Sequence, residues 1–150
     1  MSWRFKAGFT LLELIVVLAI LALGFAYVAP NFARNLESVR FKSAVREVAL
    51  ELRRARGQAL SQGKEVVFWV DVTGAKFGVD QDQPKPLPKT VELTLDTAET
   101  ELIAPGRGGI RFFPDGSSTG GRIVLRCGGQ AKRVDVNWLT GRVSIADHAG

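Results

Sequence analysis

The 150-residue sequence predicts an α+β protein: one long N-terminal helix packed on antiparallel sheet. Three observations predict it. Residues 9–29 form an apolar run, residues 31–62 carry a helical repeat, and about seven short β-patterned runs come after them, punctuated by Gly, Pro, Asn and Asp. The sequence shows no internal repeat, and 150 residues with a 46% apolar share leave room for one domain plus a membrane segment.

The first element is "FKAGFTLLELIVVLAILALG" and its continuation to Ala29. Twenty-one residues from Phe9 make about 30 Å of helix, the thickness of a hydrocarbon core. Arg4 and Lys6 precede the run, so the positive-inside rule leaves the N-terminus cytoplasmic. A cleavable secretory signal would want a shorter apolar region and a small-x-small site. Gly24-Phe25-Ala26 matches that poorly, and Glu13 would harm it. Glu13 is the anomaly. A carboxylate at the centre of a membrane helix costs about 2.5–3.5 kcal/mol on insertion scales. Pro30 removes one backbone bond and predicts a kink rather than an end.

Beyond Pro30, Leu36, Val45, Val48, Leu52, Ala55 and Ala59 form an apolar stripe, with Gly63 as a C-cap. Most of the net charge of +5 originates here, the rest coming from Arg4 and Lys6 set against Glu13. Residues 31–62 carry seven Lys/Arg against three acids, whereas residues 63–150 carry eleven of each. Such a basic helix could meet nucleic acid or anionic lipid, and the plainer reading is a solvated face.

The stripe must pack on something, and the remainder of the chain is β-patterned. Residues 65–72 and 76–80 flank Thr73-Gly74 as a hairpin. Pro84, Pro86 and Pro88 argue against strand or helix in the next loop. "TVELTLDT" alternates as a half-buried strand, and "GIRFF" runs into the turn "PDGSSTGG". "RIVLRC", "KRVDVNW" and "RVSIA" complete the set, separated by Gly128-Gly129 and Thr140-Gly141.

Candidate chemistry is sparse. Gly116, Ser118 and Gly120 match G-x-S-x-G, but a nucleophile elbow needs a helix after it, and the single histidine, His148, lies near the C-terminus. A hairpin loop, opened by a Pro-Asp-Gly turn, explains the match. Asp80 and Asp82 could contribute to a calcium loop or be solvated turn residues. Cys127 is the single cysteine, which excludes an intramolecular disulfide and a thiol cluster. Trp69 and Trp138 fall at strand positions and read as core or interface packing. No enzymatic activity and no cofactor or metal site is expected.

"KAGFTLLELIVVLAILA" resembles a type IV prepilin signal, the mark of type IV pilins and type II secretion pseudopilins. The resemblance implies that a prepilin peptidase cuts between Gly8 and Phe9 and methylates the Phe9 amine. It makes Glu13 the fifth residue of the mature chain, and Pro30 matches a proline that commonly kinks pilin helices. It also gives Glu13 a role: in a filament it can neutralise the Phe9 amine of a neighbour, and breaking a buried pair costs about 3–5 kcal/mol.

"LRRARGQALSQGKEVVF" and "IRFFPDGSSTGGRIVL…VDVNWLTGRVSI" resemble the GspH/FimT domain of minor pseudopilins and minor pilins, over residues 45–146. In that family the helix packs on two small antiparallel sheets. The organisation implied is a leader at 1–8, a transmembrane and filament-core helix at 9–29, its amphipathic continuation at 30–63 and a β domain at 64–150. The function implied is a minor pseudopilin near the tip of a type II secretion pseudopilus, supporting export of folded proteins. Its partners would be the major and other minor pseudopilins, the prepilin peptidase, the inner membrane and secreted cargo, with the globular domain periplasmic. The alternative is a minor type IV pilin, for pilus assembly or DNA uptake. Some FimT relatives bind DNA through C-terminal basic residues. Here Arg142 alone lies beyond Arg133, so nucleic acid is not the expected partner.

Overall fold

The computed structural model describes residues 9–98 and 101–148, with side chains at 27–34 left undescribed. Helix α1 runs Leu11–Gln62. Among the described residues nine strands come after it: β1 Val66–Asp71, β2 Lys76–Val79, β3 Lys85–Pro86, β4 Glu92–Asp96, β5 Leu102–Ala104, β6 Arg107–Phe112, β7 Gly121–Cys127, β8 Gln130–Val136 and β9 Val143–Asp147. They form a five-stranded sheet, β3-β2-β1-β6-β5, and a four-stranded sheet, β4-β7-β8-β9. All described pairings are antiparallel. The chain divides into two compact units within α1, residues 1–37 and residues 38–150.

In the first unit Thr10 caps α1. Its hydroxyl accepts the Glu13 N–H at 3.2 Å and its carbonyl accepts the Leu14 N–H at 3.2 Å. Every side chain from Phe9 to Ala26 is exposed. Among the described residues no helix is long and apolar enough to cross a membrane. The described apolar stretch, 11–26, amounts to about 24 Å of helix against the roughly 30 Å of a hydrocarbon core.

In the second unit α1 buries Phe41, Val45, Val48, Leu52, Ala55 and Ala59 at spacings of four and three, flanked by Ala44 and Ala49. These residues share one apolar cluster with Val66, Phe68, Val70, Phe77, Val79, Ile110 and Phe112 of the five-stranded sheet. Leu93, Ile123, Leu125, Cys127, Val134, Val136 and Val143 of the four-stranded sheet join it, with Leu87 and Val91 from the loop before β4. Gly63, at φ +63°, closes the helix by donating its N–H to the Ala59 carbonyl at 3.1 Å.

Several details depart from the sequence expectation. Leu36 is 42% exposed and lies in the first unit, so the buried stripe begins at Phe41. The Pro-rich loop does contain a strand, β3, because β3 is an edge, where Pro86 needs no ladder N–H. The first hairpin turns over four residues, 72–75, rather than two, and the Asp71 carboxylate accepts the Gly74 N–H at 2.8 Å. β5 was not expected. Three residues before a proline are too few to show alternation. The 113–120 segment closes a local antiparallel bridge, Phe112 to Ser118, but then carries the chain from one sheet to the other rather than joining two strands of one ladder.

Candidate functional site

Two regions carry features that the packing of the core does not require. The first is the start of α1. Gly8 lies outside the described residues. Phe9 is 79% exposed, beside the Thr10 cap. Glu13 occupies the third helical position, so Thr10-x-x-Glu13 has the capping-box pattern. A carboxylate in a first turn gains about 0.3–1 kcal/mol from the helix dipole. That offsets only part of the roughly 2.5–3.5 kcal/mol that the charge costs in lipid. Capping alone therefore does not account for Glu13. The Pro30 backbone is helical and its side chain lies outside the described residues.

The second region is built by three elements of the 38–150 unit. Arg53 and Arg56 of α1 each donate to a backbone carbonyl, Arg53 Nη2 to Val143 at 3.3 Å and Arg56 Nε to Gly116 at 3.1 Å. The turn after β8 is tied by Asn137. Its Oδ1 accepts the Leu139 and Thr140 N–H groups, both at 3.0 Å, and its carbonyl accepts the Gly141 N–H at 2.8 Å. Gly141 has φ +61°, and a Cβ there would run into the Gly116 carbonyl and the Arg56 side chain. Trp138 and Leu139, at the crest of this turn, are 64% and 63% exposed. Trp138 is thus not a strand residue: Val134 and Val136 set an alternation that Asn137 breaks.

The other candidates have structural occupations. Ser118 is buried, donates its hydroxyl to the Asn137 carbonyl at 3.1 Å and accepts the Gly120 N–H at 3.0 Å, while His148 lies beside Arg126. G-x-S-x-G here knits two loops together. Asp80 accepts the Val67 N–H at 2.8 Å and Asp82 pairs with Arg54 at 3.0 Å, so neither carboxylate is set aside for calcium. Among the described residues no cluster could hold a metal ion. Cys127 is buried in β7. Trp69 is buried outside the main cluster. It lies against Gly78, where a Cβ would come within 2.7 Å of the ring, and under the Arg107 guanidinium, 4.3 Å from the ring centroid. Glu101 is buried with Arg111 at 3.2 Å. The Glu101 hydrogen bond is the main cause that raises the Arg111 pKa.

The sequence did not single out Arg53, Arg56, Asn137 or Leu139. The available signal was "NWLTG": a large aromatic inside a turn signature has no buried strand face to fill.

The fold is shared with solved pilin-like domains. The Vibrio cholerae minor pseudopilin EpsH aligns with a TM-score of 0.58 at 14% identity, covering 72% of this chain and 97% of that one. The Pseudomonas aeruginosa type IV minor pilin FimU aligns at 0.57 and 13%, covering 73% and 90%. These two likenesses show the fold alone and do not separate secretion from piliation. Sequence separates them. The family model for type II transport protein GspH matches residues 44–141, and a prokaryotic N-terminal methylation motif matches residues 3–29. The type II secretion system protein H of Xanthomonas campestris pv. campestris is 34% identical over 136 residues, 91% of this chain and 80% of that protein. The chain belongs to the GspH family.

Proposed function

We propose that the chain is a non-enzymatic minor pseudopilin, a structural subunit near the tip of a type II secretion pseudopilus that supports export of folded proteins. The observation that carries this reading is the first stretch of α1. It is apolar and exposed on every side over 11–26, with one carboxylate three residues after its cap, and a helix apolar all round belongs in lipid or among other helices. In the proposed cycle a prepilin peptidase cuts between Gly8 and Phe9 and methylates Phe9. The run over 9–29 anchors the chain in the inner membrane as a single pass with the globular domain periplasmic. On assembly Glu13 pairs with the Phe9 amine of a neighbour, and Pro30 kinks the helix. Deleting the gene and restoring it tests the reading. Extracellular reporter cargo should fall and return, with pili unaffected. Loss of pili with normal secretion would instead establish the minor-pilin reading, which the near-equal likeness to FimU keeps as the second choice.

A further inference from the structure

We propose that the 137–142 turn is a docking surface for a neighbouring subunit whose matching face carries an apolar pocket rimmed by carboxylates. This rests on the pseudopilus reading and names the surface through which the folded domain would take part.

The turn holds its shape before any partner arrives. Three Asn137 hydrogen bonds, the Ser118 N–H donated to the Trp138 carbonyl at 2.8 Å and the close Gly141–Gly116 contact fix its backbone. A rigid turn that lifts adjacent Trp and Leu side chains into water gains nothing for folding. It suits binding, where ordered aromatic anchors avoid an entropy cost.

Charge indicates what the partner brings. Beside the turn is a hollow lined by Arg53, Arg56, Thr140, Gly141, Arg142 and Val143, with no carboxylate among them. Arg53 and Arg56 each commit one N–H group to a carbonyl, leaving the rest of each guanidinium for a ligand, and the Arg142 side chain makes no hydrogen bond among the described residues. Other cations of this unit are taken up by acids, as with Lys85 and Glu51 at 2.8 Å or Arg122 and Asp135 at 2.6 Å, whereas among the described residues none of these three arginines forms a salt bridge. Three arginines without an acid match carboxylates, which guanidinium groups bind in bidentate fashion.

A nucleic acid fits less well. Backbone phosphates call for a continuous basic track, yet the adjoining hollow, which Thr140 and Arg142 also line, includes Asp96 and Asp135 as well as Arg122.

The test uses the full-length chain in cells of its source lacking the native gene. The photo-crosslinker p-benzoylphenylalanine is placed at Leu139, at Leu18 on the apolar helix and at exposed Lys89. The expected result is an adduct with another pseudopilin from positions 139 and 18, and none from 89. Arg142→Glu should lower the 139 adduct about tenfold, as loss of one anchoring charge pair does, while Arg142→Lys retains most of it. Protease resistance of each variant confirms that it is folded. Adducts from 18 with none from 139, or a 139 adduct indifferent to Arg142→Glu, overturn the docking surface and leave the pseudopilus reading standing. Absence of pseudopilin adducts from both positions overturns the two together. A nuclease-sensitive adduct at 139 replaces the protein partner with nucleic acid.

Discussion

Residues 11–26 and residues 38–62 belong to one helix and are both rich in apolar side chains, yet their surroundings are opposite. In the first stretch every apolar side chain is exposed, Leu11 at 78% and Leu23 at 74% among them. In the second, Leu52, Ala55 and Ala59 are sealed at 0% while Leu50 and Leu60 stay outside. Periodicity makes the difference. The second stretch repeats at three and four residues and so has a face to bury, whereas the first, Glu13 aside, is apolar all round and has no single face to bury. The domain's stability should therefore be blind to the first stretch, and assembly should depend on it.

Breaking that separation most severely is Gly8→Val. A β-branched side chain at the cleavage position should leave all of the protein as precursor, with the folded domain's stability unchanged within about 0.5 kcal/mol. Mass spectrometry of membrane-extracted wild type should find methylated Phe9 first. A chain starting near residue 27 would mean ordinary secretion and sink the reading. Next is Glu13→Leu, which should insert well, since a charge costing about 2.5–3.5 kcal/mol is removed. It should still assemble poorly, because a neighbour's Phe9 amine is stranded at a cost of about 3–5 kcal/mol. Glu13→Gln keeps the shape and the capping pattern but loses the charge, so it separates capping from pairing. If Gln restores secretion and helix crosslinking to wild-type levels, the capping role is sufficient and pairing is wrong.

Within the second stretch, Leu52→Ala should destabilise the detergent-solubilised chain by about 2–5 kcal/mol, because a fully buried side chain leaves a cavity. Processing and methylation should be unaffected. Arg111→Ala should cost about 2 kcal/mol, since Glu101, 7% exposed, loses the partner that makes its burial tolerable. Arg122→Ala is the control. Its partner Asp135 also holds Arg133 at 3.1 Å, so the loss in urea titration should be well below that of Arg111→Ala. Equal costs for the two arginines would mean that burial of Glu101 contributes nothing.

The sequence was most legible where a pattern repeats. α1, its Gly63 cap and seven of the nine strands derive from period and punctuation. The two missed strands, β3 and β5, are the edges of one sheet and have two and three residues, too short for any period to appear. Leu36 was misplaced because a stripe read from spacing has no signal for where tertiary contact starts. The N-terminal methylation motif was legible because its residues are contiguous. The turn surface was not, because Arg56, Gly116 and Gly141 meet only after the helix, the 113–120 loop and the β8–β9 turn have packed.

The smallest effect comes from acid, at the cluster where Glu51 of the second stretch meets Lys85 at 2.8 Å and Arg54 at 3.1 Å. Burial alone would raise the Glu51 pKa, but hydrogen bonds from Lys85 and Arg54 outweigh it, and the net direction is down from 4.5. A carboxylate whose folded pKa is depressed contributes stability that is complete above its unfolded value. That stability is lost as pH falls through the lower, folded one. Lys85 and Arg54 are 42% and 48% exposed, so solvent screens both pairs and the whole contribution should stay under about 1 kcal/mol. The expected measurement is a stability gap between wild type and Glu51→Gln that is constant from neutral pH to about 5, then closes under acid, and is smaller in 1 M salt. Chemical denaturation at a series of pH values reads it directly. A gap that widens in acid would mean that burial, not pairing, sets the state of Glu51, and the helix would then be held to the β2–β3 edge by its apolar stripe alone.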